Sequence, residues 1–220
     1  MGYKESSDCL VVVGGTDFGE CFNDVYTFDL GRGEKGWKKV RDGRKRIGGI
    51  MGMVGGEYDC FVGRFNFWAC ELGDEVLLVG GGEDLDDGVY DDVWRSEDWG
   101  RKWEKLGSVR GKKGGKGGLV GASACVLGGV VFIFGGKAGS FRNYGGGPRE
   151  FFNCYWCSKD GGFTWSKVMA TEREFTRASL TATAVERRNE IVVIGGKDGD
   201  DAVGESKGDD RRIIDTYVVV

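Results

Sequence analysis

Four times along this chain a run of apolar residues ends on a pair of glycines. Leu10 to Gly15 reads LVVVGG, Val76 to Gly81 reads VLLVGG, Val130 to Gly136 reads VVFIFGG and Ile191 to Gly196 reads IVVIGG. The first glycines of the pairs, Gly14, Gly80, Gly135 and Gly195, are 66, 55 and 60 residues apart. Self-similarity at such a period points to one supersecondary unit copied along the chain. Each copy is too small to bury its own apolar face, so neighbouring copies must stack.

Three of the glycine pairs share an upstream frame. Ala69 to Gly81 (ACELGDEVLLVGG), Ala124 to Gly136 (ACVLGGVVFIFGG) and Ala184 to Gly196 (AVERRNEIVVIGG) each run from alanine through a short turn into the apolar strand. That is a hairpin pattern, with Gly73-Asp74 and Gly128-Gly129 as turns. Its strands are designated A and B. A third strand, C, follows each pair: DVYTFD from Asp24, DVWRSED from Asp92, CYWCSKD from Cys154 and DTYVVV from Asp215. Its third position is always a large aromatic: Tyr26, Trp94, Trp156 or Tyr217. Strand D reads W-x-K-[VL], at Trp37 to Val40, Trp103 to Leu106 and Trp165 to Val168.

Four short strands per repeat with aromatics at fixed places describe a propeller blade, and a tryptophan in strand D is large enough to fill the space between blades. The apolar run, glycine pair, aromatic and tryptophan together resemble the kelch repeat over almost the whole chain. The resemblance implies an all-β propeller of about four antiparallel four-stranded blades in one domain, 1–220. The blades are expected near 8–41, 64–107, 118–168 and 178–220. The first lacks a convincing strand A and the last lacks strand D, so the expectation is an incomplete propeller whose open edges could self-associate. WD40 is disfavoured by the long period and the absence of histidine. A second resemblance is nested within the first. Ser96 to Trp103 (SEDWGRKW) and Ser158 to Trp165 (SKDGGFTW) fit S-x-D-x-G-x-x-W, which is similar to the Asp-box of sialidase-type propellers. In these turns Asp98 and Asp160 are suited to accept backbone N–H bonds, Gly100 and Gly162 to take positive φ, and Trp103 and Trp165 to anchor the hairpin. The box implies a structural role and no catalytic one.

In an up-and-down meander the B–C and D–A connections emerge on one face and the A–B and C–D turns on the other. Apart from the longer C–D stretch DLGRGEKGW of the first repeat, which lacks the serine, nearly all irregular sequence is B–C or D–A, and loops on a rigid scaffold are where binding usually resides. The B–C loops are read as Thr16–Asn23, Gly82–Asp91, Lys137–Asn153 and Lys197–Ile214. The second is acidic, with Asp84, Asp86 and Asp87, as is the fourth, with Asp198, Asp200 and Asp201. The third differs, with Arg142, Asn143, Tyr144 and Arg149. The D–A loops lean basic, with Arg44, Lys45, Arg46, Lys112, Lys113 and Lys116. Solvated loops account for such charge without further function. A protein-binding face with complementary patches accounts for it too, and Arg142, Tyr144 and Arg149 are its natural anchors.

Composition narrows the chemistry. The 220 residues contain no histidine, which excludes Ser-His-Asp and Cys-His nucleophilic sites and the copper centre of galactose-oxidase-like kelch relatives. Net charge is −4, too balanced to imply nucleic acid or an anionic membrane as partner. No apolar run approaches membrane-spanning length, and Met1 to Gly15 lacks the long apolar core of a secretory signal. Met1-Gly2 with Ser6 meets a myristoylation pattern only in part. Seven cysteines without such a signal read as reduced thiols in the cytoplasm. Gly31 to Gly36 matches G-x-G-x-x-G, yet a strand-like WKKV follows where dinucleotide binding needs a helix. Cys154-x-x-Cys157 lies in a strand, where an odd spacing sends the two thiols to opposite faces. DLDDGVYDD lacks the ligand order of an EF-hand. No cofactor and no metal site follows from these residues. The expectation is a non-catalytic protein-interaction module; the alternative is a glycan-binding or degenerate sialidase-like propeller.

Overall fold

In the computed structural model the described residues are 2–4, 9–17, 20–42, 60–82, 89–111, 118–138, 150–169 and 177–198. They are all-β, with no α-helix among them. Three antiparallel sheets have four strands each. The first holds β1 (Gly2–Lys4), β2 (Cys9–Thr16), β3 (Cys21–Asp29) and β4 (Trp37–Arg41), in that order. The second holds β5 (Trp68–Leu72), β6 (Glu75–Gly82), β7 (Val89–Ser96) and β8 (Glu104–Ser108). The third is built from β9 (Ser123–Leu127), β10 (Val130–Phe134), β13 (Cys154–Ser158) and β14 (Ser166–Met169). Between β10 and β13 a two-stranded ribbon of β11 (Lys137–Ala138) and β12 (Glu150–Phe151) extends the hairpin. A fourth, two-stranded sheet pairs β15 (Arg177–Val185) with β16 (Glu190–Asp198). The opening strands of successive sheets pack side by side, β1 with β5, β5 with β9 and β9 with β15. This arrangement is consistent with a β-propeller-like fold.

The core lies between sheets, and strand alternation assigns each side chain to one junction. On β6, Val76 and Leu78 face the first sheet, joining Val11 and Val25, while Leu77 and Val79 face the third, joining Val131 and Ile133. On β10, Val131 and Ile133 face back to the second sheet, and Phe134 faces Leu180 and Ile191 of the fourth. These strands are buried on both faces, which is why they read as unbroken apolar runs.

Three expectations need correction. The first sheet does have a strand A: β1 pairs with β2 through Gly2↔Val11, Tyr3↔Leu10 and Lys4↔Cys9. It escaped notice because main-chain pairing requires no alanine-and-turn signature, only an extended edge. The B–C loops are shorter than read, because β2 and β6 continue past their glycines to Thr16 and Gly82, with register shifts at Val13/Gly15 and Val79/Gly81. Trp103 and Trp165 end the C–D turns just ahead of strand D, whereas Trp37 opens it. Trp103 is 6% exposed at the junction of the first and second sheets, and Trp165 packs between the second and third. Trp37 wedges nothing: it is 52% exposed, because no described sheet precedes its own. The strand C read from Asp215 lies outside the described residues, so that copy is represented by A and B alone.

The lysine of W-x-K acquires a role in the folded chain. Lys39, Lys105 and Lys167 sit over the strand C aromatics Tyr26, Trp94 and Trp156, at 5.4, 5.8 and 5.9 Å from the ring centroids. Cross-strand pairing sets this up directly through Tyr26↔Lys39, Trp94↔Lys105 and Trp156↔Lys167. Each cation lies on an aromatic face, where the negative quadrupole of the ring attracts it.

Candidate interaction face

The glycine pairs mark where one sheet grips the next. All eight of their glycines have positive φ, from +54° at Gly14 to +116° at Gly15. The pairs thus bend each B strand where side-chain-bearing residues would be strained. The N–H groups so exposed bond across the sheet boundary. Gly15, Gly81 and Gly136 donate to the carbonyls of Arg64 (3.1 Å), Leu119 (3.0 Å) and Arg177 (2.7 Å). Those residues lie in or just before the segments that open the next sheet. The return bonds run from Arg64 N–H to the Phe22 carbonyl (3.1 Å) and from Leu119 N–H to the Tyr90 carbonyl (2.7 Å). The approach is too close for a side chain at Gly80, where a Cβ would stand 2.5 Å from the Leu119 carbonyl oxygen. Each D–A connection is therefore clamped against the B–C end of the preceding sheet. The two kinds of connection share one face because the same hydrogen bonds hold both.

Beneath that face lies a buried ion pair absent from the sequence reading. Arg64 is fully buried and meets both carboxylate oxygens of Asp92, Nη1 with Oδ1 and Nη2 with Oδ2 at 3.2 Å. Its Nε–H and the second Nη1–H reach the carbonyls of Val62 (3.0 Å) and Gly80 (2.9 Å), and its guanidinium lies over the Tyr90 ring at 4.2 Å. Trp94 Nε1–H donates to Asp92 Oδ2 at 2.7 Å. The third sheet places Leu119 and Cys154 at the two corresponding positions, both in its apolar junction with the second sheet. One repeat thus solves with charge what the next solves with hydrocarbon. Asp92 aligns with Cys154 in strand C, but the correspondence of Arg64 with Leu119 emerges only from the matching clamps of Gly15 and Gly81. Neither residue type alone suggests a pair.

The opposite face carries two C–D turns with the same hydrogen-bond pattern. In one, Ser96 Oγ donates to Asp98 Oδ1 (3.0 Å) and accepts from Gly100 N–H (2.7 Å), while Asp98 Oδ1 also accepts from Lys102 N–H (2.8 Å). In the other, Ser158 Oγ bonds Asp160 (2.8 Å) and Gly162 N–H (2.8 Å), and Asp160 accepts from Thr164 N–H (2.9 Å). Trp103 and Trp165 each return an Nε1–H to the carbonyl of Gly100 or Gly162, at 3.1 and 3.0 Å. The Thr164 hydrogen bonds depress the Asp160 pKa to about 2. Gly100 and Gly162 rest on the preceding sheet, where a Cβ at Gly100 would meet Val25 Cγ1 at 2.5 Å and one at Gly162 would meet Val93 Cγ1 at 3.3 Å. Val25 and Val93 are corresponding residues of strand C, so the turns dock by the same contact in both repeats.

Of the partner-binding residues read from the sequence, Arg142, Asn143, Tyr144, Arg149, Asp84, Asp86, Asp87, Asp200 and Asp201 lie outside the described residues. Asp198 ends β16. The frame that carries their loops is described, but their mutual geometry is not. Cys154 joins the junction with the second sheet alongside Trp156, and alternation puts Cys157 on the opposite face. Burial raises the thiol pKa of Cys70, and that of Cys125 to about 12, so both are small neutral core residues. Among the described residues no group of three or more Cys, Asp or Glu side chains could hold a metal ion, and no helix is long and apolar enough to cross a membrane. In comparisons with known proteins, no family model and no curated protein matches the chain.

Proposed function

We propose that this chain is a kelch-type β-propeller, or part of one, that works without catalysis as a protein-interaction module in the cytoplasm. Its partner binds the face carrying the B–C and D–A loops. The observation that carries this reading is the repeated clamp of Gly15, Gly81 and Gly136 on the segments opening the next sheets. A rigid rim of cross-sheet hydrogen bonds presents charged, variable loops on one side, the arrangement in which recognition loops are usually found. On the opposite side, two of the C–D turns are tied by their own serine–aspartate hydrogen bonds.

The test is charge reversal on the third B–C loop. Arg142→Glu with Arg149→Glu is expected to lose proteins that the unaltered chain retains in a pull-down read by mass spectrometry. Lys159→Glu, an exposed change in a C–D turn on the far face, is expected to retain them. Equal retention by all three proteins removes Arg142 and Arg149 from the site.

A second reading is favoured by one observation, the matched serine–aspartate turns at Ser96 to Trp103 and Ser158 to Trp165. Under it the chain is a glycan-binding or degenerate sialidase-like propeller. Selective retention on a glycan array by the folded protein would replace the first reading with this one.

A further inference from the structure

The first sheet exposes a face that its neighbours bury. Leu10, Val12, Tyr26 and Phe28 lie on this face in register, through Leu10↔Phe28 and Val12↔Tyr26, and Phe28↔Trp37 adds the tryptophan. The Phe28 and Trp37 rings are 4.8 Å apart. The other face of the same strands, with Val11 and Val25, packs on the second sheet. The matching register in the second sheet is Val76↔Ser96 and Leu78↔Trp94. There Val76, Leu78, Trp94 and Trp103 are 0–6% exposed, because the first sheet covers them. The same face of the third sheet is covered by the second. In the first sheet Leu10, Val12, Tyr26 and Phe28 are only half-buried, and Trp37 is half in solvent.

The far end of the series is open in the complementary sense. The face of β16 turned from the third sheet carries Val192 and Ile194, and Ile194 is 42% exposed. In the second and third sheets the corresponding residues, Leu77 with Val79 and Phe132 with Phe134, are what the next sheet packs against. Among the described residues, the leading face of the first sheet and the trailing face of the fourth have no sheet packed on them. Every internal junction is a trailing face on a leading face.

We propose that the leading face of the first sheet, centred on Trp37, receives the trailing face of the fourth sheet of a second copy of this chain. The contact is head to tail, repeating between copies the junction that the chain makes three times within itself. The occupant is identified by this internal precedent: at all three described junctions the surface that covers the face is the trailing face of another repeat. Such a contact is heterologous, so it makes a ring where the rotation closes and a longer array where it does not. It is independent of the loop-face partner proposed above.

The 220-residue chain is expected to self-associate with concentration in sedimentation velocity. Trp37→Arg and Ile194→Arg, each at an exposed site, are each expected to weaken that association about 30-fold or more, as loss of an interfacial anchor does. Mixing the two variants is expected to restore a dimer, because each retains the face the other lacks. Replacing Trp37 with a benzophenone photocrosslinking residue is expected to give intermolecular crosslinks to residues 177–198, a readout that survives if an arginine variant fails to fold. A monomer at about 100-fold the working concentration overturns the proposal. So does association unaffected by either arginine, or sensitive to Trp37→Arg but not to Ile194→Arg, which would place identical faces together.

Discussion

Replacing Asp92 by cysteine copies into the second sheet what the third already has, and the effect follows from the geometry. Arg64 is fully buried, and the carboxylate supplies both acceptors for the outer edge of its guanidinium. Removing that carboxylate leaves a cation in a dry site with no counter-charge, held by the Val62 and Gly80 carbonyls and the face of the Tyr90 ring. Breaking a buried pair by deleting one partner costs about 3–5 kcal/mol. Arg64→Leu alone leaves Asp92 with Trp94 Nε1–H and the distant Lys105 ammonium, 3.9 Å away, and should cost somewhat less. The double variant Arg64→Leu/Asp92→Cys removes the charge altogether. What remains is the loss of partners for the Gly80 and Val62 carbonyls and for Trp94 Nε1–H, at about 1 kcal/mol each. The double variant is thus expected to cost less than Asp92→Cys alone, with a favourable coupling of several kcal/mol. Urea unfolding followed by tryptophan fluorescence reads this. At a slope of about 2 kcal/mol per molar, Asp92→Cys should lower the midpoint by about 1.5–2.5 M, and adding Arg64→Leu should raise it again. The slope must be unchanged for the comparison to hold. A shift below about 0.5 M for Asp92→Cys, or a double variant weaker than both singles, would refute the claim that the pair is a desolvated unit.

Other outcomes follow from the turns and the core. Gly100→Ala is expected to cost about 2–4 kcal/mol in thermal or urea unfolding, from strain at positive φ and collision with Val25. Gly161→Ala, at φ +75° with nothing nearer than 3.8 Å to a new Cβ, should cost about 1 kcal/mol; equal effects would deny the docking of Gly100 on the first sheet. Because the Asp160 pKa is depressed to about 2, its contribution is present above the ordinary carboxylate pKa and lost as pH falls from about 4 toward 2. Asp160→Asn should flatten the melting-temperature profile across that window, and an unchanged profile would remove Asp160 from the turn's stability. Cys70 and Cys125, buried and held as neutral thiols, should resist a thiol reagent at pH 8 until the chain unfolds. Labelling of either at the rate of a free thiol, followed by peptide mapping, would contradict their placement.

Much of the architecture was readable before any coordinates, because its determinants are local. The two serine–aspartate turns are built from hydrogen bonds spanning two to four residues, so their residue spacing is their geometry. Strand alternation sorted Cys154 from Cys157, and the doubled glycines marked the repeat, whereas the bend they make at positive φ came only with the structure. The short β1 strand was missed for the opposite reason, since an extended backbone edge leaves almost no trace in side-chain identity. Determinants that join distant residues left even less. Arg64 finds Asp92 across 28 positions, and no pattern of spacing names that pair; only the folding of the D–A segment over β7 does. Trp37 and Trp103 carry the same motif yet differ in exposure from 52% to 6%. Their own residues cannot distinguish them, because burial belongs to whichever sheet lies alongside. Residue order thus determined the repeating unit and its turns, and packing between repeats decided which identical-looking positions became core, ion pair or open surface.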